Sequence, residues 1–512
     1  MSVATVTSAH IVGLDVEKVN VEVDVTSGLY SFSIVGLPDK SVDESKDRII
    51  SALRNSYLKN PKTENQKITV SLSPAHIKKE GTHFDLPIVL AYLLASKQLH
   101  VEQKQVYFFG ELSLTGSVLP VKGILGMVEY AKRQGAQSVY VPYDNKEEAS
   151  LVEDILIYPC QNLRELYIHL GGTTDTGEVS EIASYTSAFV IPEITSSLDF
   201  GTIKGQEVAK RALIIAATGN HNIALYGPPG TGKTMLAKAF SQILPPLSQE
   251  EIRDVTKVHS LVKKINAPIT HAPFRAPHHT ASYVSLVGGG ASPKPGEITL
   301  AHRGVLFLDE FPEFDKKVLE SLREPLEERT ITISRAKGSY TFPASVLLVA
   351  AMNPCPCGYY GSNIKPCTCS LHHIQNYSRK LSGPIIDRID LWVPVESINY
   401  NELHKEGTGT DSTTIRNNVI RGRSFGTKRR STTSDNKPSQ KLTLDQLIKE
   451  CDMEESVSSL LKKLAEKATL SPRSYYRILS VARTIADLRE SSKVENEDIL
   501  EAFQYRPKIY EG

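Results

Sequence analysis

The sequence predicts a soluble α/β protein of several domains, and three observations support this fold class. An apolar β-run, a glycine loop and a helix follow one another repeatedly between residues 191 and 400, which is typical of a parallel sheet with crossover helices. Residues 1–170 alternate short β-rich runs with helical stretches, which indicates a second α/β domain. At 512 residues the chain is also too long for one compact core.

Polar segments separate these regions. Residues 171–190 are small and polar and predict a linker, whereas residues 401–440 form a polar and basic connecting segment. Residues 441–512 have a helical pattern, with Ser471 as the predicted N-cap of one helix and Pro472 at its first position.

Overall charge and hydropathy exclude some partners. The formal net charge is +1, so any surface that attracts a polyanion has to be local. The first residues lack the pattern of a secretory signal, and the longest apolar run, FDLPIVLAYLLAS, is too short to span a membrane. We therefore expect a cytoplasmic protein with no membrane partner.

The strongest motif is GPPGTGKT at residues 227–234, between a predicted strand and a predicted helix. Its glycines let backbone N–H groups surround phosphate oxygens at a helix N-terminus, where the potential is positive. Lys233 would reach the β- and γ-phosphates of ATP, and Thr234 would bind Mg²⁺. The predicted nucleotide-binding residues are Gly227, Pro228, Pro229, Gly230, Thr231, Gly232, Lys233, Thr234 and Asp309.

Two further strands end in polar residues that suit ATP hydrolysis. The run GVLFL is followed by Asp309 and Glu310. Asp309 would hold Mg²⁺ through a water molecule, and Glu310 would activate the water that attacks the γ-phosphate. The run SVLLVAAM ends at Asn353, whose amide can contact both the γ-phosphate and that water.

Two arginines are predicted to act on the γ-phosphate. Arg388, in DRID, has no phosphate motif nearby in the sequence, so it suits an arginine finger that serves a neighbouring subunit. A surface salt bridge is the alternative for Arg388. Arg473, in the first turn of a predicted helix, is either a second phosphate sensor or a solvated arginine.

Four of the six cysteines lie in two close pairs just after Asn353. In a reducing compartment such a cluster favours metal over disulfides, and four thiolates suit a structural Zn²⁺ site. The short C-x-C spacing leaves reduced thiols or another metal as alternatives. The predicted zinc ligands, in an insert at residues 355–369, are Cys355, Cys357, Cys367 and Cys369.

Taken together, GPPGTGKT, LFLDE, the strand ending at Asn353, DRID and SPRSYYRILSVARTIADL resemble an AAA+ ATPase of the magnesium-chelatase-like branch. The stretch FRAPHHTASYVSLVGGGASPKPGEITLAHRGVLFLDE is more specific and resembles the ComM/YifB family, which joins this core to an N-terminal Lon-protease-like domain. The resemblance covers nearly the whole chain. It implies a C-terminal helical lid, a hexameric homo-oligomeric ring and, in the ComM type, DNA branch migration during natural transformation.

The N-terminal region resembles the Lon proteolytic domain in EGTHFDLPIVLAYLL and in the sequence around FGELSLTGSVLPVKGILGM. The resemblance places that family's Ser–Lys dyad near His83 and Leu125, and neither residue matches. Because leucine offers neither a base nor a hydrogen-bond donor, we expect no proteolysis from this domain.

A hairpin is predicted in RTITISRAKGSYTFPA, with Arg335 and Lys337 near its tip. In related rings such a hairpin points into the central pore, where basic residues would contact the phosphates of branched or single-stranded DNA without reading its sequence. A solvated turn is the alternative, and the basic run RGRSFGTKRR is a second candidate. His278 and His279 are adjacent, which does not suit one metal site and favours a structural loop.

The favoured interpretation is a DNA-translocating ring motor that hydrolyses ATP. The alternative is a magnesium-chelatase-type remodeller of a protein partner, which only the similarity of the core supports. An ATP-dependent protease is opposed by His83 and Leu125, and a scaffold without turnover is opposed by the complete set of predicted catalytic residues.

Overall fold

The computed structural model of the chain describes residues 2–100, 105–173, 177, 179–186, 198–290, 293–335, 338–362, 365–397, 409–433 and 442–507. It confirms a mixed α/β protein with a central parallel sheet. The strands are β1 Ser2–Val12, β2 Asp15–Ser27, β3 Ser31–Val35, β4 Gln66–Ser73, β5 Val106–Phe108, β6 Glu111–Leu112, β7 Val118–Leu119, β8 Ser138–Pro142, β9 Leu156–Cys160, β10 Ile223–Tyr226, β11 Phe274–Arg275, β12 Gly288–Gly289, β13 Lys294–Pro295, β14 Val305–Leu308, β15 Thr330–Arg335, β16 Gly338–Pro343, β17 Leu347–Met352 and β18 Leu391–Pro394.

Helices connect and cover these strands. Among the described residues, none of the helices combines the length and the apolar composition needed to cross a bilayer. The α-helices are Lys40–Asp43, Ser45–Asn55, Asp85–Ala95, Ile124–Arg133, Lys146–Ala149, Leu163–His169, Glu207–Gly219, Lys233–Ile243, Gln249–Ser260, Tyr283–Val287, Glu297–Leu300, Lys316–Ser321, Arg323–Glu328, Leu371–Ser378, Gly383–Ile386, Ser412–Thr433, Leu444–Cys451, Glu455–Lys467, Pro472–Leu488 and Asn496–Gln504, with short 3₁₀ turns at Tyr143–Asn145, Phe200–Thr202 and Phe311–Glu313.

The N-terminal part is built on a four-stranded sheet in the order β1-β2-β4-β3. Alternation along β2 buries Val19, Val21 and Val23 on one face, as the period of two in a half-buried strand requires. The helix Asp85–Ala95 covers that face and is buried along nearly its whole length. A second sheet, β5-β8-β9, is parallel throughout.

The central sheet positions the candidate site. Its order is β11-β14-β17-β10-β18, and each neighbouring pair is parallel. The strands β14 and β17 are buried on both faces because helices cover the sheet on each side, which explains their continuous apolar sequences. Parallel strands bring their carboxyl ends to one edge, so the residues that follow β10, β14 and β17 meet there.

The C-terminal region is helical, as the sequence predicts. Ser471 caps the helix Pro472–Leu488, and its side chain accepts a hydrogen bond from the backbone N–H of Ser474 at 3.1 Å. The segment 401–440 also contains a regular element, since Ser412–Thr433 forms one 22-residue helix. This helix packs against the helices Glu207–Gly219 and Pro472–Leu488.

The basic run RGRSFGTKRR lies within that helix, and part of it is structural. The guanidinium group of Arg423 is half-buried and donates at 2.9 Å to the backbone carbonyl of Ala217. Arg429 lies 2.8 Å from Glu450 and 3.2 Å from Asp487. These two arginines therefore stabilise the helical packing, which weakens the run as a candidate DNA contact.

The N-terminal sheet and the central core are joined by polar contacts. Lys257, on the helix Gln249–Ser260, lies 2.7 Å from Glu129 of the N-terminal part. The backbone N–H of Gly123 donates to the carbonyl of Ser260 at 3.1 Å. The turn between β1 and β2 also contacts the core, because Gly13 packs directly against the ring of Tyr340 on β16.

Candidate active site

The phosphate-loop motif lies where the sequence predicts it, between β10 and the helix Lys233–Ile243. Gly232 precedes the helix with a φ of +89°, a left-handed conformation that favours glycine. Gln206 supports the loop from a neighbouring segment, because its side-chain amide donates to the carbonyl of Glu396 at 2.6 Å and to that of Thr231 at 3.4 Å. The motif therefore lies at the carboxyl edge of the sheet with its helix N-terminus facing that edge.

The ammonium group of Lys233 is the centre of the site. It donates to the backbone carbonyl of Gly227 at 2.7 Å, to that of Pro228 at 2.8 Å and to the side-chain oxygen of Asn353 at 3.2 Å. Burial lowers the pKa of Lys233 to about 8, and the negative charge of Asp309 opposes that shift. The structure thus brings the predicted lysine and the predicted amide sensor together.

Hydroxyl and carboxylate oxygens meet on the other side of the lysine. The hydroxyl of Thr234 donates to Asp309 at 2.9 Å, and the second oxygen of Asp309 accepts from the backbone N–H of Glu310 at 2.9 Å. Oxygen ligands of this kind are those that Mg²⁺ prefers, so the residues fit the predicted ion.

The predicted general base has a partner that sequence reasoning missed. A carboxylate oxygen of Glu310 lies 3.0 Å from the Nδ1 atom of His279. The expectation that His279 belongs to a structural loop did not include this contact. The adjacent histidines in RAPHHT are the signal in the sequence, but their spacing alone does not indicate a carboxylate partner.

The two predicted phosphate-contacting arginines both bind a third residue. Arg388 lies 2.5 Å from one carboxylate oxygen of Glu327, and Arg473 lies 2.6 Å from the other. Burial works against ionisation of Glu327, but the two guanidinium groups outweigh it and hold the pKa of the carboxyl below its usual value. No sequence motif marked Glu327.

The four clustered cysteines converge. All four Sγ atoms lie within 4.8 Å of one another. The separations between Cys355 and Cys357, Cys357 and Cys367, and Cys355 and Cys367 are 3.3, 3.5 and 3.7 Å. A tetrahedral ion with Zn–S bonds of about 2.3 Å needs sulfurs about 3.8 Å apart, so this donor set fits Zn²⁺.

Backbone N–H groups point at the sulfur atoms, as expected for thiolates. The N–H of Tyr360 lies 3.4 Å from the sulfur of Cys355, and that of Cys369 lies 3.4 Å from Cys367. Hydrogen bonds from the backbone of Tyr359 and Thr368 lower the pKa of Cys357 to about 5. At Cys367 the backbone N–H of Cys369 also favours the thiolate, but desolvation and the neighbouring sulfur atoms outweigh it and raise the pKa to about 12. Such donors favour the charged form that binds metal.

The cysteine turn touches the phosphate loop. A methyl group placed on Gly358 would lie 2.8 Å from the Cδ atom of Pro229 and 3.8 Å from the side-chain carbon of Asn353. The turn therefore packs against the loop and the amide sensor at once.

The N-terminal residues that replace the protease dyad are buried. Leu125 is fully enclosed in an apolar cluster. His83 stacks on His10 with ring centroids 5.6 Å apart, and its Nε2 atom has no hydrogen-bond partner among the described residues. Burial lowers the pKa of His83 to about 3, so neither position offers an activated nucleophile and base.

The predicted hairpin is present as the pair β15–β16, in which Arg335 lies opposite Gly338. The guanidinium group of Arg335 lies close to the loop residue Gly289, since a methyl group there would be 2.8 Å away. Lys337 lies outside the described residues.

Comparison with known proteins agrees with this arrangement. The chain is 41% identical to Competence protein ComM of Haemophilus influenzae over 99% of its own length and 98% of the relative's. It belongs to the ComM/YifB family. YifB of Escherichia coli is 38% identical over 99% of this chain and 97% of its own.

Family models connect this ComM/YifB chain with magnesium chelatase. The model described as magnesium chelatase, subunit ChlI, matches residues 199–403, and its C-terminal counterpart matches residues 409–506. A third, subunit ChlI of Mg-chelatase, matches residues 21–145. The magnesium-chelatase 67 kDa subunit of Heliobacterium mobile is 28% identical over 41% of this chain and 34% of its own. The chain is thus a magnesium-chelatase-like AAA+ protein.

Proposed function

We propose that this protein is an ATP-hydrolysing AAA+ motor that moves DNA by branch migration during natural transformation. One observation carries the ATPase part: Lys233, Asn353 and the Thr234–Asp309 pair converge at one edge of the central sheet, with Glu310 next in the chain. Full-length similarity to a competence protein supports the DNA part.

Each residue has a chemical task in this proposal. Lys233 exchanges its bonds to backbone carbonyls for phosphate oxygens, while Thr234 and Asp309 would hold Mg²⁺. When bound, Mg²⁺ supplies positive charge that stabilises the phosphates during transfer. Glu310 accepts a proton from the attacking water, and Asn353 keeps that water and the γ-phosphate in line.

His279 contacts only one of the two carboxylate oxygens of Glu310, so the other oxygen can accept that proton. Their 3.0 Å contact occupies the carboxylate oxygen Oε2. A neutral carboxamide in place of Glu310 retains the shape of the site but cannot act as the base.

Ring assembly would complete the site. Arg388 and Arg473 bind Glu327 rather than residues of the phosphate loop, which supports a role at a neighbouring subunit. We propose a homo-oligomeric, hexameric ring in which these arginines contact the γ-phosphate of the adjacent chain. The C-terminal helices would then act as the lid.

The cysteine turn would hold one structural Zn²⁺ through Cys355, Cys357, Cys367 and Cys369. With four protein ligands the ion has no open position and supplies shape rather than catalysis. The N-terminal domain would keep a Lon-like fold without protease activity and would serve assembly or partner binding.

The first test measures ATP hydrolysis with and without branched DNA and scores strand movement. Glu310→Gln should bind ATP and lose nearly all turnover, while the neighbouring Glu313→Gln should keep it, since the side chain of Glu313 makes an exposed salt bridge with Lys380. Equal turnover in both variants would remove Glu310 from its role.

The second test addresses DNA. Replacing Arg335 and Lys337 together by Ala should spare basal hydrolysis but sharply reduce DNA stimulation and strand movement, because phosphate contacts are lost around the ring. Lys462 and Lys463, both exposed on the helix Glu455–Lys467, provide a double-alanine control with the same charge change. Turnover that responds to a protein partner and not to DNA would favour the chelatase-type remodeller.

A further inference from the structure

The carboxylate of Glu327 joins two arginines that come from distant parts of the chain. Arg388 follows the helix Gly383–Ile386, and Arg473 lies in the first turn of the helix Pro472–Leu488. Each guanidinium group takes a separate oxygen of Glu327, at 2.5 and 2.6 Å. Two positive charges on one carboxylate leave the group with a net positive charge, which attracts a further anion.

Arg388 is also incompletely satisfied. It is only 8% exposed, and its Nε atom is buried with no hydrogen-bond partner among the described residues. One of its terminal nitrogens donates to the carbonyl of Pro384 at 2.5 Å and the other binds Glu327. Because a buried donor without a partner is costly, the arrangement points to an acceptor outside this set.

The chemistry of guanidinium identifies that acceptor. Its planar fork of donors matches the oxygens of a carboxylate and of a phosphate in the same way. A phosphate oxygen carried by another chain can therefore take the place of a Glu327 oxygen once the carboxylate of Glu327 moves aside.

We propose that Glu327 is a positioning residue that stands in for the γ-phosphate: it holds Arg388 and Arg473 in place and releases them to the ATP of a neighbouring subunit. The inference rests on the proposed function. In this exchange no covalent bond changes, and Glu327 competes with the phosphate for the same donors.

The position of Glu327 gives the exchange a mechanical consequence. It lies on the helix Arg323–Glu328, which leads directly into β15 of the hairpin. The side chain of Glu324 on that helix accepts from the backbone N–H of Thr332 at 2.9 Å. Release of Glu327 would therefore loosen the base of the hairpin when ATP binds next door.

The test compares Glu327→Gln with Glu328→Gln by steady-state ATP hydrolysis without DNA. Glu328 is the adjacent, exposed residue of the same helix, so it controls for the loss of one negative charge. Without the competing carboxylate, Glu327→Gln should lower KM for ATP about tenfold and leave kcat within about threefold of the wild type. Glu328→Gln should leave both unchanged.

A KM for Glu327→Gln that is equal to or above that of the wild type, with Glu328→Gln active, would overturn the proposal and leave the ATPase assignment intact. Absence of turnover in the wild type would instead reject the proposed function.

Thermal unfolding shows whether Glu327→Gln folds. If it does not, Glu327→Asp is the substitute variant. Its shorter side chain weakens both contacts, so it should also lower KM for ATP. An unchanged KM in a folded Glu327→Asp variant would also overturn it.

Discussion

Replacing Gly358 by alanine tests whether the cysteine turn supports the phosphate loop. The new methyl group would lie 2.8 Å from Cδ and 3.3 Å from Cγ of Pro229. Carbon atoms pack at about 3.5–4.0 Å, so the first overlap is about 0.7–1.2 Å. A proline ring cannot rotate away, so either the loop or the cysteine turn has to shift.

Gly361 offers a matched control in the same turn. Gly358 and Gly361 have φ values of +87° and +71°, so alanine causes similar backbone strain at both, of about 1–2 kcal/mol. At Gly361, however, a methyl group meets no atom of the described residues within 4 Å. The difference between the variants therefore isolates the contact with Pro229.

Overpacking of this kind costs about 1–3 kcal/mol. If the strain falls on the phosphate loop, Gly358→Ala should bind ATP about 5- to 150-fold more weakly than Gly361→Ala. Fluorescent ATP-analogue binding, measured on a Glu310→Gln background to prevent hydrolysis, gives the two dissociation constants.

Zinc content and thermal unfolding show whether the phosphate loop or the cysteine turn is distorted in Gly358→Ala. We expect Gly358→Ala to retain its zinc, because the four metal–sulfur bonds fix the cysteine turn, so that the phosphate loop is displaced instead. Equal affinities in the two variants, or lost zinc with wild-type ATP affinity, would refute the reasoning.

Three other predictions concern Arg388, the four clustered cysteines and His83. An Arg388→Ala protein should lose hydrolysis and regain part of it when mixed with Lys233→Ala subunits, since each supplies what the other lacks; a mixture no more active than its components would argue against shared sites. Purified protein should hold about one Zn²⁺ per chain, which Cys367→Ser should lose and Cys160→Ser should keep, and metal analysis checks both. Burial holds the pKa of His83 at about 3, below the value of about 6.5 in the unfolded chain. The unfolded state thus binds more protons below about pH 6.5, and stability should fall as the pH drops from there. Thermal unfolding at about pH 7 and pH 5 should show a smaller loss in His83→Gln; an equal loss would contradict this.

The sequence was most informative where function requires a contiguous motif. The phosphate loop and the strand ends at Asp309 and Asn353 depend on local patterns, and the parallel sheet then brings them together. The contacts of Thr234 with Asp309 and of Lys233 with Asn353 follow from that topology. The convergence of the four cysteines was equally local.

Contacts that depend on the path of a loop could not be predicted. His279 reaches Glu310, and Glu327 binds two arginines, only because segments distant in sequence fold next to one another. The hydrophobic periodicity of a sequence does not predict contacts of this kind.

The helix Ser412–Thr433 was missed for a different reason. Its apolar residues form no continuous face, and it contains glycines that normally weaken a helix. Gly422 allows a close approach, because a methyl group there would lie 3.0 Å from Thr218 and 3.3 Å from Leu488. Tertiary packing, rather than local preference, therefore decides this element.

The contact between Gly13 and Tyr340 makes the N-terminal sheet part of any hairpin movement. A methyl group on Gly13 would come within 2.5 Å of the ring, so the two surfaces are in direct contact. If the hairpin β15–β16 moves during ATP hydrolysis, either the β1–β2 turn moves with it or the ring of Tyr340 shifts relative to Gly13. A bulkier residue than glycine at position 13 would therefore push the β1–β2 turn and the hairpin apart.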